Sequence, residues 1–211
     1  MRREYVFDDG GMNLLSSSAL RAVRAALPSD ANLFLFRSGR PNLFAAGADM
    51  AEMARFTAWD AYEFASLGQE LFAAIERLPC VTVALIDGDC FGGALDLALA
   101  FDLRFATPRS RFSHPGAKLG IVTGFGGTSR WRKTLARPAA QQLFIGNGVL
   151  TAAEALAVGL VDRVADSHEA ELTRLESVDA RLVKELAVHA SRLSRAELLM
   201  LAKAQGGRWD E

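Results

Sequence analysis

The chain has 211 residues, half of them hydrophobic, and balances 24 basic against 25 acidic side chains. That length allows one domain with a sizeable core, and the composition is too apolar for disorder. The charge balance gives no support to nucleic-acid or membrane-surface binding as the main activity.

The opening segment, MRREYVFDDGG, carries charges and no apolar h-region, so it does not read as a secretory signal. Asp96 and Asp102 interrupt the most apolar segment well short of the ~18 residues a membrane span needs, and a cytoplasmic protein without a membrane partner is expected. Cys80 and Cys90 fit no metal or redox spacing and read as buried free thiols, and His168 and His189 fall in what reads as surface helix, so no metal site is expected.

Tyr5 to Phe7 can supply a first strand, with Gly10-Gly11 as its turn. Ser16 or Ser17 can cap a helix to Leu27 that puts Leu20, Val23 and Leu27 on one face, and Pro28-Ser29-Asp30 ends it. Asn32 to Phe36 reads as a strand and Ser38 to Asn42 as a loop, after which a short apolar strand from Leu43 runs into Gly47 and the chain turns helical. Thr57 and Asp60 form a capping box for a helix carrying Ala61, Phe64, Leu71, Ile75 and Leu78, closed by Pro79.

Val81 to Ile86 is a β-branched apolar run too short for a buried helix, and it reads as an interior strand. Asp87-Gly88-Asp89 breaks it, Phe91-Gly92-Gly93 frees the backbone, and Ala94 to Phe101 has helical spacing broken only by Asp96. Short strands follow at Leu103 to Ala106 and Arg111 to Ser113. Gly124 to Thr128 is a second glycine turn before a basic helix with Arg130, Arg132 and Lys133, and Pro138 starts another helix. Thr151 and Glu154 cap a helix that stops at Gly159, and Leu160 to Val164 reads as a last strand. From Ser167 the chain reads as helix, with a fresh cap at Ser194 to Glu197 and a stop at Gly206-Gly207. With no repeat or linker, residues 1–211 read as one α/β domain, a core over 1–165 and a helical region over 166–211.

The strand, glycine turn and helix around Gly93 aim a free N–H out of the first helical turn, where the helix dipole favours negative charge. A second donor can come from the Gly47-Ala48 turn. Two such N–H groups on one carbonyl oxygen would stabilise a developing oxyanion by roughly 3–4 kcal/mol each. The simplest other reading is that these glycines are turn residues; a dinucleotide loop fits poorly, because the glycine spacing is wrong.

FAAGADMAEM from Phe44, DGDCFGGALDLALAFDLRFAT from Asp87 and FSHPGAKLGIVTGFGGTSR from Phe112 together resemble the crotonase, or enoyl-CoA hydratase/isomerase, family over roughly residues 12 to 165. The resemblance implies a crotonase-like ββα spiral with a helical C-terminal part. It implies an acyl-CoA thioester as substrate partner, whose oxygen is held by the N–H groups of Ala48 and Gly93, and no cofactor beyond that coenzyme A. Ala46, Asp49, Met50, Ala51 and Gly92 would contribute to binding, and Asp96 stands where the family places one of two catalytic glutamates. A homo-oligomer, trimer or hexamer packed through C-terminal helices, is also implied.

The departures are specific. Gly116 stands where a two-glutamate hydratase has its other acid, and Gly124 lacks the further acid of dienoyl isomerases. His114 is the nearest replacement by type, and whether it faces the pocket depends on strand direction. Ala51 replaces a lysine for the CoA phosphates and Gly10 lies near another basic position, which leaves Arg37, Arg40 or Lys118 as candidate cations. Much of the family's N-terminal β-hairpin is expected to be missing. One carboxylate supports double-bond migration better than water addition, since migration can use one base twice. A non-catalytic or repurposed acyl-CoA-binding paralogue is the alternative, and a thioester hydrolase or decarboxylase on the same donors a third.

Overall fold

A computed structural model describes residues 1–146, 148–178 and Lys184. Strands β1 (Arg2–Phe7) and β2 (Leu14–Leu15) lead into α1 (Ser17–Ala25). Strands β3 (Leu33–Ser38), β4 (Leu43–Ala45) and β5 (Gly47–Ala48) lead through the short α2 (Met50–Met53) to α3 (Ala58–Glu76). Next come β6 (Val81–Ile86), β7 (Asp89–Phe91) and α4 (Gly93–Ala98), then β8 (Leu103–Ala106), β9 (Arg111–Ser113) and a 3-10 turn (Pro115–Leu119). Helices α5 (Gly127–Thr134) and α6 (Arg137–Phe144), strand β10 (Val149–Thr151), α7 (Ala152–Ala157), β11 (Arg163–Val164) and α8 (Glu169–Leu175) follow.

One sheet runs β1-β3-β6-β8-β11 with every neighbour parallel. A second runs β4-β7-β9 in parallel with β10 antiparallel at its edge, and β2 pairs with β5 in a small third. In both larger sheets, spatial neighbours follow one another in chain order, so the backbone advances as a spiral of ββα turns. Parallel strands force a crossover between them, and the helices supply it. The local signals agree: Ser16 caps α1, and Thr57–Asp60 and Thr151–Glu154 both make reciprocal capping boxes.

Phe34, Phe36, Phe44 and Phe72 are fully buried, each contributing about 1.5–3 kcal/mol of hydrophobic stabilisation. The Phe36 ring touches the rings of Tyr5, Phe7, Phe44 and Phe101, which joins three strands to the segment after α4. Asn13 is buried at φ 52°, and its amide donates to Phe7 O, Ser38 Oγ and Phe44 O. That contact fixes β2, and through it β5, against the main sheets.

Some elements differ from the sequence reading. The first strand pairs with β3 in parallel, and the Asp9 carboxylate accepts from the N–H groups of Gly11, Asn13 and Leu14, so Gly10-Gly11 belongs to a loop and not to a hairpin turn. Helix α1 ends at Ala25, short of Leu27, and only Arg163–Val164 of the last expected strand pairs. The basic helix forms as α5, with the Arg130 side chain buried. His189, the cap at Ser194 to Glu197 and the stop at Gly206-Gly207 lie outside the described residues. Among the described residues no helix is long and apolar enough to cross a membrane.

Candidate active site

Strand β7 ends at Phe91, and Gly92 at φ 55°, ψ −127° turns the chain into α4 through a conformation that a side chain would strain. Gly92 N–H donates to Ser113 O at 2.9 Å, which anchors the turn on β9. Gly93 opens α4, so its own N–H has no acceptor within the helix. Gly47, at φ 106°, brings β5 across this point; a Cβ there would lie 2.8 Å from Phe91 O and 3.2 Å from Gly93 N.

Asp49 N–H donates to Leu15 O across β2. Successive strand amides alternate in direction, so the Ala48 N–H faces away from β2. A Cβ on Gly93 would stand 3.4 Å from Ala48 N. The two amides singled out in the sequence therefore sit side by side.

They lie on a cavity of about 280 Å³. Its walls are Met50 and Met53 from α2, Phe56, Ala61, Phe64 and Ala65 from α3 and its approach, and Leu119 with Ile121 to Phe125 from the loop before α5. Ala46, Ala48, Met50, Gly92 and Gly93 line it as expected of substrate-binding positions, and Gly47 joins them. Asp49 and Ala51 do not. The Asp49 carboxylate turns back to accept from Ala51 N and Glu52 N as the cap of α2, and Ala51 is exposed on that helix. Among the described lining residues only His114 and Thr123 bring polar side chains.

Asp96 is fully buried and is not part of the cavity wall. Thr123 Oγ1 donates a short hydrogen bond to its Oδ2, and His114 Nε2 lies 3.4 Å from the same oxygen. Oδ1 packs against Gly127 so closely that a Cβ there would be 1.7 Å away, and it has no hydrogen-bond partner among the described residues. A buried polar atom left unpaired costs about 1–3 kcal/mol, and such costs persist where a group has chemical work to do. His114 lines the cavity, and its ring also touches Asp96 and Phe144, the latter at 4.7 Å centroid to centroid.

The other candidates are placed elsewhere. Arg37 pairs with Glu4 at 2.5 Å and Arg40 lies 3.8 Å from Asp8, both beside a separate polar pocket on the main sheet. Lys118 is on the 3-10 turn between lining residues Gly116 and Leu119. Cys80 and Cys90 are free and buried, and burial pushes both thiols above their usual range, Cys90 the further. His168 lies at the start of α8 with Nε2 3.1 Å from Ala106 O. Sequence reasoning missed Thr123, Phe125, Met53 and Phe56; the signal available was the aperiodic apolar run Ile121 to Phe125 set between glycines.

A match to the family described as enoyl-CoA hydratase/isomerase spans residues 35–200. The chain belongs to the enoyl-CoA hydratase/isomerase family. It is 33% identical to the crotonyl-CoA hydratase of Syntrophomonas wolfei over 201 residues, 92% of this chain and 76% of that protein. With the mitochondrial methylglutaconyl-CoA hydratase of Homo sapiens it shares 35% identity over 164 residues, which is 75% of this chain and 48% of that protein, so it spans about half of that relative's length. The structure of Pseudomonas aeruginosa DspI superposes with a TM-score of 0.82 at 27% identity, covering 97% of this chain and 88% of that one. The mixed α/β spiral is thus the crotonase fold, and the protein is a crotonase-family enzyme of the enoyl-CoA hydratase/isomerase type.

Proposed function

We propose that the protein acts on enoyl-CoA thioesters, with the Ala48 and Gly93 N–H groups holding the thioester oxygen while the acyl group passes through an enolate. The observation that carries this is the adjacency of those two amides at one end of an apolar cavity. Donors fixed in a dry site stabilise developing charge without reorganising, by roughly 3–4 kcal/mol each. Coenzyme A enters only as part of the substrate. Its phosphates find no cation at Ala51, and Arg37 and Arg40 are engaged by Glu4 and Asp8.

Asp96 supplies the buried carboxylate on which the proton transfer depends, linked to the cavity through Thr123 and His114. Double-bond migration needs one proton-transfer centre. A proton leaves C2 of a 3-enoyl thioester, its electron pair enters the dienolate whose charge rests on the held oxygen, and a proton returns at C4 as the double bond settles between C2 and C3. Water addition runs through the same enolate, but with Gly116 in place of an acid the migration is better supported. Purified protein mixed with a panel of 2- and 3-enoyl-CoA thioesters is expected to change their absorbance. Asp96→Asn is expected to lower that rate by on the order of 10²–10⁴. An unreactive wild type would overturn the catalytic reading.

The depth of Asp96 favours a second reading, a repurposed acyl-CoA-binding paralogue. Binding without turnover in both wild type and Asp96→Asn would select it. The family resemblance supports a trimer or hexamer in the cytoplasm, and a monomer by light scattering would contradict the first part.

A further inference from the structure

The cavity wall leaves a chemical gap at Gly116, and the structure fills it from an unexpected direction. A Cβ built on Gly116 would stand 2.9 Å from Ile121 O, 3.2 Å from His114 Cε1 and 3.3 Å from His114 Nδ1. The space a side chain at position 116 would enter is therefore occupied by the imidazole of His114 and by the returning loop, whose Ile121 N–H donates to Gly116 O at 2.8 Å. Here Gly116 is what His114 requires.

The other ring nitrogen faces Asp96, with Nε2 3.4 Å from Oδ2. A carboxylate there selects the tautomer that carries its proton on Nε2, which leaves the Nδ1 lone pair on the Gly116 side. Among the described residues His114 is the one positively chargeable side chain within ion-pair distance of Asp96. Of the two, only His114 reaches the cavity wall.

We propose that His114 is the catalytic acid–base and that Asp96 is a positioning residue, the pair replacing the missing acid. This rests on the enoyl-thioester reading above and divides its proton transfer between two residues. In the migration, Nδ1 takes the C2 proton and the C–H electron pair enters the dienolate held by Ala48 and Gly93. The imidazolium, stabilised by Asp96, gives a proton back at C4, and the neutral ring is restored. No oxidant or second base is needed. Thr123, donating to the same Asp96 oxygen, holds the carboxylate in place.

The experiment compares full-length wild type, His114→Gln, His114→Ala and Asp96→Asn on three readouts. These are dissociation of saturated hexanoyl-CoA, exchange of its C2 hydrogens with deuterated water, and turnover of 3-hexenoyl-CoA. His114→Gln is expected to bind hexanoyl-CoA within about threefold of wild type and to lose exchange and turnover by on the order of 10²–10⁴. His114→Ala leaves a ring-sized space, so added imidazole is expected to restore part of the exchange, which a purely structural histidine would not allow. Asp96→Asn is expected to lower kcat with little change in KM. Turnover by His114→Gln within a few-fold of wild type, with Asp96→Asn inactive, would overturn the proposal and make Asp96 the direct proton carrier. A wild type that binds hexanoyl-CoA but leaves its hydrogens unexchanged would overturn it while leaving thioester binding intact. Failure of the wild type to bind at all would instead remove the reading on which it rests.

Discussion

At position 116 the absence of a side chain is a packing requirement as much as a chemical loss. A glutamate there would meet the Ile121 carbonyl and the His114 ring, both within van der Waals limits of a bare Cβ. Gly116→Glu, which on sequence grounds would complete a pair of acids, is therefore expected to lower both melting temperature and turnover. A gain in activity would show that the loop has room to move. Gly127 has a similar role on the far side of Asp96, since a Cβ there would be 1.7 Å from Oδ1. Both glycines are visible in the sequence, but what they make room for is not, because the contacts come from segments brought together only by the spiral. The turn that carries the Gly93 amide was legible for the opposite reason: Gly92-Gly93 between an apolar strand and a helix is a local signal that needs no distant partner. Cys90 illustrates burial at the same scale. With its thiol pushed well up by desolvation, it is expected to resist thiol reagents in the native protein at about pH 8 and to react on unfolding, as a timed thiol assay would record.

Among the elements, α3 shapes the cavity twice, by lining it with Ala61, Phe64 and Ala65 and by latching the loop before α5. Phe125 lies in a notch at Gly68, where a Cβ would come within 2.1 Å of its ring, and packs against Phe64 and Phe72. Gln69 Nε2 donates to Gly124 O at 2.6 Å, and Arg130 donates to Glu76 and to Phe125 O. Gly68→Ala is expected to push Phe125 out, cost about 1–3 kcal/mol in urea unfolding and raise KM, because the displaced ring forms part of the cavity wall. An unchanged KM would show that the ring is accommodated elsewhere.

At the start of α8, burial holds His168 below its usual pKa of 6.5, and its Nε2 lies on Ala106 O beside Phe105. The unfolded chain then binds the proton more readily than the folded one, so stability is full above about pH 6.5 and falls as pH drops. Melting temperatures at about pH 7.5 and 5.5 are expected to differ less in His168→Gln than in wild type; an equal difference would remove the linkage. Long elements with caps, such as α3, and the β-branched run of β6 were readable from the sequence. Strands β7 and β10 and the 3-10 turn were not, since β7 and β10 sit beside turn or capping residues that hide their short runs, and β4 and β9 supply their pairing.

Over the whole molecule, two sheets that each grow in chain order place β5, α4 and the α5 loop around one apolar space. Among the described residues no side chain with a permanent charge lines it. An acyl group ending in a second carboxylate would have to leave water without a partner, which is costly. Uncharged apolar enoyl-CoA thioesters are accordingly expected to react at least tenfold faster, by kcat/KM, than a methylglutaconyl-type thioester. The reverse order would mean that a cation reaches the cavity. This architecture was legible as a class through the three motifs, whereas the depth of Asp96 and its partnership with His114 depend on how β9 and α5 pack on α4 and had no one-dimensional trace. The sharpest measurement is the infrared stretch of the thioester carbonyl, carbon-labelled, in an enoyl-CoA bound to the protein. Two amides converging on that oxygen should lower the frequency below its value in water, and Ala48→Pro, which removes one N–H, should return it part of the way. A bound thioester that absorbs at its solution frequency would mean that the donors point elsewhere.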